Sequence, residues 1–202
     1  MIKTILFDLG GTIIPFDFQR GFDAMARHSP HSIEEIVRRV RSSDLFVRFE
    51  KGQIEPRLFV EQFCRLIDCR LDYERFCQIW GIIFLPQTLI DESLLIRLKR
   101  RYQLLSLSNT NAIHFPQVVR EYPILDHLQG HILSYEVGAL KPAPEIYRAA
   151  LARAGCRAQE CLFIDDIAAN IEGARREGID GIVFENAAQL DRDLAVRLSA
   201  AG

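Results

Sequence analysis

The apolar positions change their spacing twice along the chain. Ile2 to Phe7 is a short, nearly continuous apolar run that ends on Asp8 and is closed by Gly10-Gly11, the pattern of a buried strand. From about Phe16 to Leu85 the spacing turns helical. Ser32-Ile33-Glu34-Glu35 reads as a capping box opening a helix with Ile36, Val37 and Val40 on one face. Pro56 starts a second helix through Leu58, Phe59, Phe63, Leu66 and Ile67. Tyr73, Phe76, Cys77, Trp80 and Phe84 mark a third. No strand pattern interrupts this stretch.

Beyond it, strands and helices alternate. A helix carrying Leu94, Leu95 and Leu98 runs to Arg100-Arg101, and a strand from Tyr102 to Leu107 ends on Ser108-Asn109. His131 to Leu133 forms a further apolar run. Pro142 and Glu145 open a helix through Ile146 and Ala150 that Gly155 stops. The strand Cys161 to Ile164 ends on Asp165-Asp166. A helix through Ile171 and Ala174 stops at Gly178, and a last strand covers Gly181 to Phe184. Alternating units with apolar strands predict a parallel sheet covered on both faces. The expected architecture is therefore α/β: a doubly wound, Rossmann-like core over 1–15 and 89–202, with an all-helical block, 16–88, inserted after the first strand.

Composition narrows the function. Two hundred and two residues, 49% apolar and 26% charged, suit one globular domain or one carrying an insertion. The net charge of −2 comes without a basic run, which disfavours nucleic acid and anionic membranes as partners. No apolar run approaches the roughly 20 residues that span a bilayer. The start MIKTILFDLGG is too short and too quickly charged for a signal peptide. Cys64, Cys69, Cys77, Cys156 and Cys161 are odd in number and form no CxxC pair, so they read as small buried hydrophobes in a reducing cytoplasm. The chain is expected to be cytoplasmic, as a monomer or weak homodimer. His28, His31, His114, His127 and His131 have no metal-ligand spacing and are expected on exposed loops.

Chemistry collects at the carboxyl ends of the strands, where open parallel sheets bind ligands. Those ends hold Asp8, Ser108, Lys141 from the next loop, and Asp165 with Asp166. Carboxylates converging there repel one another, and a divalent cation resolves the repulsion; hard oxygen donors point to magnesium. A lysine and a hydroxyl beside such a cation suit a phosphoryl group. Taken singly, each residue also fits a turn, a cap or a solvated flank. Their occurrence at successive strand ends, in order, does not.

Four segments together resemble the haloacid dehalogenase (HAD) superfamily: Phe7-Asp8-Leu9-Gly10-Gly11-Thr12, Leu107-Ser108-Asn109, Lys141-Pro142, and Ile164-Asp165-Asp166 with Asn170. The helical block sits where that family carries its C1 cap, and the nearest branch is that of sugar-phosphate phosphatases and the phosphatase domain of soluble epoxide hydrolases. The resemblance implies a two-step phosphoryl transfer on a small-molecule phosphate ester. Asp8 is then the nucleophile that forms an aspartyl-phosphate. Mg2+ is held by Asp8, the Gly10 carbonyl and Asp166, with Asp165 as a second acidic partner through water. Ser108 and Lys141 serve catalysis and bind phosphate oxygens, Asn109 is counted with them as substrate-binding, and Asn109 and Asn170 support the site by hydrogen bonding.

One departure stands out. Most phosphatases of the family carry an aspartate two residues after the nucleophile, as general acid and base, and here that position is Gly10. Such a group is worth about 10²–10⁴-fold in rate. The loss leaves three readings: a phosphatase of esters that leave easily, such as anomeric sugar phosphates, or one that draws its proton from Asp17 or Glu50; a dehalogenase, which needs neither the acid nor the cation; and a silent phosphate-binding module. Asp165-Asp166 argues against the second, and retention of both Asp8 and Lys141 argues against the third. Arg20, Arg48, Glu50, Lys51 and Trp80 are the candidate contacts from the helical block.

Overall fold

The structure is a computed structural model, and it describes residues 1–199. Five strands form one sheet: β1 (Thr4–Phe7), β2 (Gln103–Ser108), β3 (His131–Leu133), β4 (Cys161–Asp165) and β5 (Asp180–Val183). Every pairing is parallel and the order is β3-β2-β1-β4-β5. Parallel neighbours need crossovers, and helices supply them on both faces. On one face Ile5, Phe7, Leu104 and Ile164 pack against α6 (Glu92–Leu98) and α11 (Ala187–Ser199) through Leu95, Leu190 and Leu194. On the other, Leu6, Leu105 and Phe163 meet α9 (Pro144–Ala154) and α10 (Ala168–Arg176) through Ile146, Tyr147 and Ile171.

Between β1 and α6 the chain forms α1 (Phe18–Ala26), α2 (Ile33–Arg41), α3 (Leu45–Glu50), α4 (Pro56–Leu66) and α5 (Tyr73–Trp80). These helices bury a core of their own around Met25, Phe49, Phe59, Phe63, Phe76 and Trp80. Each large side chain there contributes about 1.5–3 kcal/mol by leaving water. The rings interlock: Phe49 stacks on Phe59 at 4.0 Å, and Phe63 meets Phe76 edge-on at 5.2 Å. Phe16 and Phe84 form an antiparallel bridge where the block leaves and rejoins the sheet.

Several boundaries differ from the sequence expectation. β1 starts at Thr4 rather than Ile2. The helix expected from Pro142 opens at Pro144, because Ala143 is extended and a proline suits the first helical position. The third helix of the block stops at Trp80; Gly81–Ile83 tightens into a 3-10 turn and leaves Phe84 outside. The capping box is half made. Ser32 Oγ accepts from the Glu35 N–H at 3.3 Å, but the Glu35 carboxylate turns to Arg38 and Arg39. Cys64, Cys69 and Cys161 are buried as expected, whereas Cys77 and Cys156 are only partly covered, and all five are free. Two further helices, α7 (His114–Glu121) and α8 (Ser134–Val137), complete the fold. Among the described residues no helix is long and apolar enough to cross a membrane.

Candidate active site

The strand order reverses between β1 and β4, so the carboxyl ends of those strands form a crevice. Asp8 stands one residue past the Phe7–Ile164 pair, and its N–H donates to the Ile164 carbonyl at 2.8 Å. That register sets it beside Asp165. The Leu9 N–H donates to Asp8 Oδ1 at 2.7 Å, and Lys141 Nζ lies 2.9 Å from the same oxygen. Asp8 Oδ2 accepts no hydrogen bond among the described residues.

Lys141 is buried and also reaches Asp165 Oδ2 at 2.7 Å. Its loop is clamped by Asn109: the Lys141 N–H donates to Asn109 Oδ1 at 2.8 Å, and Asn109 Nδ2 donates to the Lys141 carbonyl at 3.1 Å. Asn109 therefore ties the end of β2 to this loop, with both ends of its amide engaged. Asp165 is fully buried and saturated by Lys141, by Asn170 Nδ2 at 3.0 Å to each oxygen, and by the Ile167 N–H at 2.8 Å. The Asn170 carbonyl in turn accepts from Tyr147 Oη at 2.7 Å. Asp166 is the exposed member of the group.

These contacts set the charges. Burial pushes the Asp8 carboxyl up to about 7; Lys141 opposes the rise and Asp165 adds to it. Asp166 is raised by burial and by the Asp165 charge. Burial works against the Lys141 ammonium, but flanking Asp8 and Asp165 outweigh it and hold its pKa above the ordinary value. The repulsion expected among the carboxylates is thus already offset in part by Lys141. One oxygen from each of Asp8, Asp165 and Asp166 still lies within 4.8 Å of the others. An all-oxygen, carboxylate-rich donor set fits a hard divalent cation such as magnesium, with Asp166 its exposed member.

A cavity of about 90 Å³ opens beside this cluster. Gly10, Ser108 and Asn109 line it from the sheet, and Phe16, Phe18, Phe84 and Glu50 from the helical block. Of the block residues expected to make contacts, Glu50 alone lines it. Trp80 is 1% exposed and stacks in the block's core, Arg20 is exposed elsewhere, and Arg48 lies 3.7 Å from Asp44. Asp17 is exposed and caps α1, accepting from the Gln19 N–H at 2.9 Å.

The histidines are a correction. His28 alone is exposed. His31, His127 and His131 are partly covered and paired with Asp68, Glu92 and Ser106. His114 is buried, lines the cavity and stacks on Trp80 at 5.5 Å. Burial drives its pKa down to about 4, with only the Trp80 backbone opposing, so it is neutral. Asn111 Oδ1 accepts from the Ile113 and His114 N–H groups at the start of α7. An asparagine just ahead of a helix start is the local signal that could have found that turn. Phe16 and Phe18 carried no signal, because single aromatics after a strand fit many positions.

The profile of the haloacid dehalogenase-like hydrolases matches residues 2–178. The chain belongs to that family. This hydrolase is 28% identical over 206 residues to the D-ribitol-5-phosphate phosphatase of Bacteroides thetaiotaomicron, covering 99% of this chain and 100% of that protein. It is 28% identical over 215 residues to a phosphatase of Mycobacterium tuberculosis, covering 100% of this chain and 95% of the relative. Its fold superposes with a TM-score of 0.84 on a HAD family enzyme from B. thetaiotaomicron solved with magnesium and inorganic phosphate, at 28% identity, over 92% of this chain and 96% of that one. The hydrolase thus has the α/β architecture read from its pattern, and relatives that are phosphatases.

Proposed function

We propose that this hydrolase is a magnesium-dependent phosphatase of small phosphorylated metabolites, sugar phosphates among them, acting through an aspartyl-phosphate on Asp8. The observation that carries the reading is the state of Asp8. One carboxylate oxygen is pinned by the Leu9 N–H and Lys141 while the other accepts no hydrogen bond among the described residues, at a strand end whose next residues, Leu9 and Gly10, line a cavity. A pinned, oriented carboxylate is the arrangement a covalent nucleophile needs. The phosphatase relatives support the class of substrate, and the helical block is then the cap of the family.

In this reading Asp8 Oδ2 attacks phosphorus in line with the departing ester oxygen. Lys141 and the Ser108 hydroxyl hold the non-bridging oxygens. Water then hydrolyses the aspartyl-phosphate and frees Asp8. Magnesium, held by Asp8, Asp166 and the Gly10 carbonyl, with Asp165 behind them, would supply positive charge that offsets repulsion between carboxylate and phosphate. Asp165 and Asn170 keep Lys141 and the loop in place; the Asn109 clamp does the same from β2. The dehalogenase reading loses ground because it has no use for Asp166 within reach of Asp8.

The test is a panel of phosphorylated metabolites, with paired anomeric and primary sugar phosphates, assayed for phosphate release with magnesium and with chelator. Magnesium-dependent turnover that Asp8→Asn lowers by more than about 10³-fold is the expected result. Near-parental turnover in that variant would remove Asp8 from the mechanism. Halide release from haloacids without magnesium would move the chain to the dehalogenases.

A further inference from the structure

We infer that Glu50, carried by the helical block, is the general acid and base of the phosphoryl transfer, replacing the carboxyl that Gly10 lacks; the inference rests on the phosphatase reading. Glu50 is the one carboxyl-bearing side chain among those lining the cavity beside Asp8. Gly10 and Ser108 line the same cavity, so a departing oxygen there lies between the β1 turn and Glu50. The competing donor, Asp17, is exposed and committed to capping α1.

Backbone contact sets Glu50 in place. It is the last residue of α3, and Gly52 follows in a left-handed turn at φ +65°. A Cβ on Gly52 would collide with the Tyr135 carbonyl of α8, so only glycine lets the turn approach this closely. α8 is fixed to the site in its turn, because Ser134 Oγ accepts from the Thr110 N–H at 3.0 Å and donates to the Thr110 carbonyl at 2.9 Å. Thr110 follows Asn109 in the loop after β2. The chain of contacts runs from Glu50 to the phosphate side of the cavity.

The carboxyl has no hydrogen bond or ion pair among the described residues. On the elements packed against α3, α4 carries Arg57 by Glu74 and Arg65 by Glu61 and α8 carries Tyr135 and Glu136; on α3 itself Arg48 sits by Asp44, and Lys51 follows Glu50 in sequence. Neutral His114 lines the same cavity. With burial as its sole perturbation, the Glu50 pKa rises to about 7, so both protonation states are populated near neutral pH, as a group that gives and then takes a proton requires.

The protons balance. As Asp8 Oδ2 bonds to phosphorus and the ester P–O bond breaks, Glu50 gives its proton to the departing oxygen, and the alcohol leaves neutral. The resulting carboxylate takes a proton from water as that water's oxygen bonds to phosphorus. The P–O bond to Asp8 then breaks, freeing inorganic phosphate and restoring protonated Glu50.

The experiment compares kcat/KM on p-nitrophenyl phosphate, whose phenolate leaves without a proton, with kcat/KM on a primary alditol phosphate, whose alkoxide does not. Glu50→Gln should lose about 10²-fold or more on the alkyl ester but less than about tenfold on the aryl ester. It should also abolish the fall in alkyl kcat/KM above about pH 7, and Glu50→Asp should recover part of the alkyl rate. Equal losses on both esters, an unchanged alkyl rate, or a surviving alkaline limb would overturn the assignment. Should Glu50→Gln not fold, the alkyl-to-aryl ratio of Glu50→Asp decides in the same way. Aryl turnover that is absent, or that survives Asp8→Asn, overturns the phosphatase reading and this inference with it; aryl turnover that depends on Asp8, with an unmoved ratio, overturns the role of Glu50 alone.

Discussion

The ring of Phe16 stands 3.0 Å from the point where a Cβ on Gly10 would sit. Gly10 has no positive φ, and Phe16 is 38% exposed, so the ring has room to swing away. Gly11, one residue on, is different. Its φ is +78°, and a Cβ there would collide with the Asp166 carboxylate. Neighbouring glycines thus answer to different constraints, one to a movable side chain and one to the backbone and the Asp166 carboxylate.

Gly10→Asp should therefore fold, at a cost of about 1 kcal/mol for the displaced ring, and should raise kcat/KM on alkyl phosphates by supplying a second carboxyl. Gly11→Ala should cost about 1–2 kcal/mol through its left-handed conformation and should lose magnesium stimulation as Asp166 is pushed aside. Chemical denaturation and magnesium titration of activity, run on both variants, check this. Equal behaviour of the two would show that the Asp166 contact does not matter.

Lys141 neutralises two buried carboxylates. Lys141→Met should cost about 3–5 kcal/mol, because Asp8 and Asp165 are left buried without a counter-charge. Adding Asp165→Asn should return part of that loss while turnover stays abolished. Urea unfolding of the single and double variants measures the difference.

His114 ties stability to pH. Its folded pKa, about 4, lies below the ordinary value of 6.5, so the unfolded chain takes up the proton first as pH falls. Its contribution is complete above about pH 6.5 and declines toward pH 4. At pH 5 the protein should have lost about 2 kcal/mol on this account. His114→Phe keeps the ring against Trp80 and removes the proton site, so its stability should fall less between pH 7 and pH 5. Parallel slopes for the two proteins would remove His114 from the linkage.

Glu50 has the opposite sign. Its folded pKa, about 7, lies above the ordinary 4.5, so its contribution is complete below pH 4.5 and is lost as pH rises through 7. Glu50→Gln should then be more stable than the parent at pH 8, by roughly 2–3 kcal/mol, and about equal to it at pH 4.5. Thermal unfolding at both values reads this directly. A carboxyl that costs stability at working pH is what a functional group desolvated beside a cavity would show.

Much of the sheet was legible because a buried parallel strand leaves a local mark: a short apolar run closed by polar or glycine residues. Ile2 to Phe7, Cys161 to Ile164 and His131 to Leu133 all carried it. Helices with a full apolar face, such as α4 behind Pro56, were equally plain. α3 and α8 were not, since six and four residues are too few to show a helical period. They matter most for the cavity, because α3 carries Glu50 and α8 anchors it.

The acid, hydroxyl and ammonium groups could be named from the chain alone, since each follows a recognisable strand or precedes a proline, and local spacing depends only on neighbours. Which groups touch could not. Lys141 bridges Asp8 and Asp165 because β1 lies beside β4, although the strands are more than a hundred residues apart in the chain. Trp80 went into a core, Glu50 went to a cavity, and Asn109 went to a clamp, although all three were candidate contacts. Contacts between distant segments depend on strand order, burial and close backbone approach, and none of these leaves a periodic trace in a linear chain.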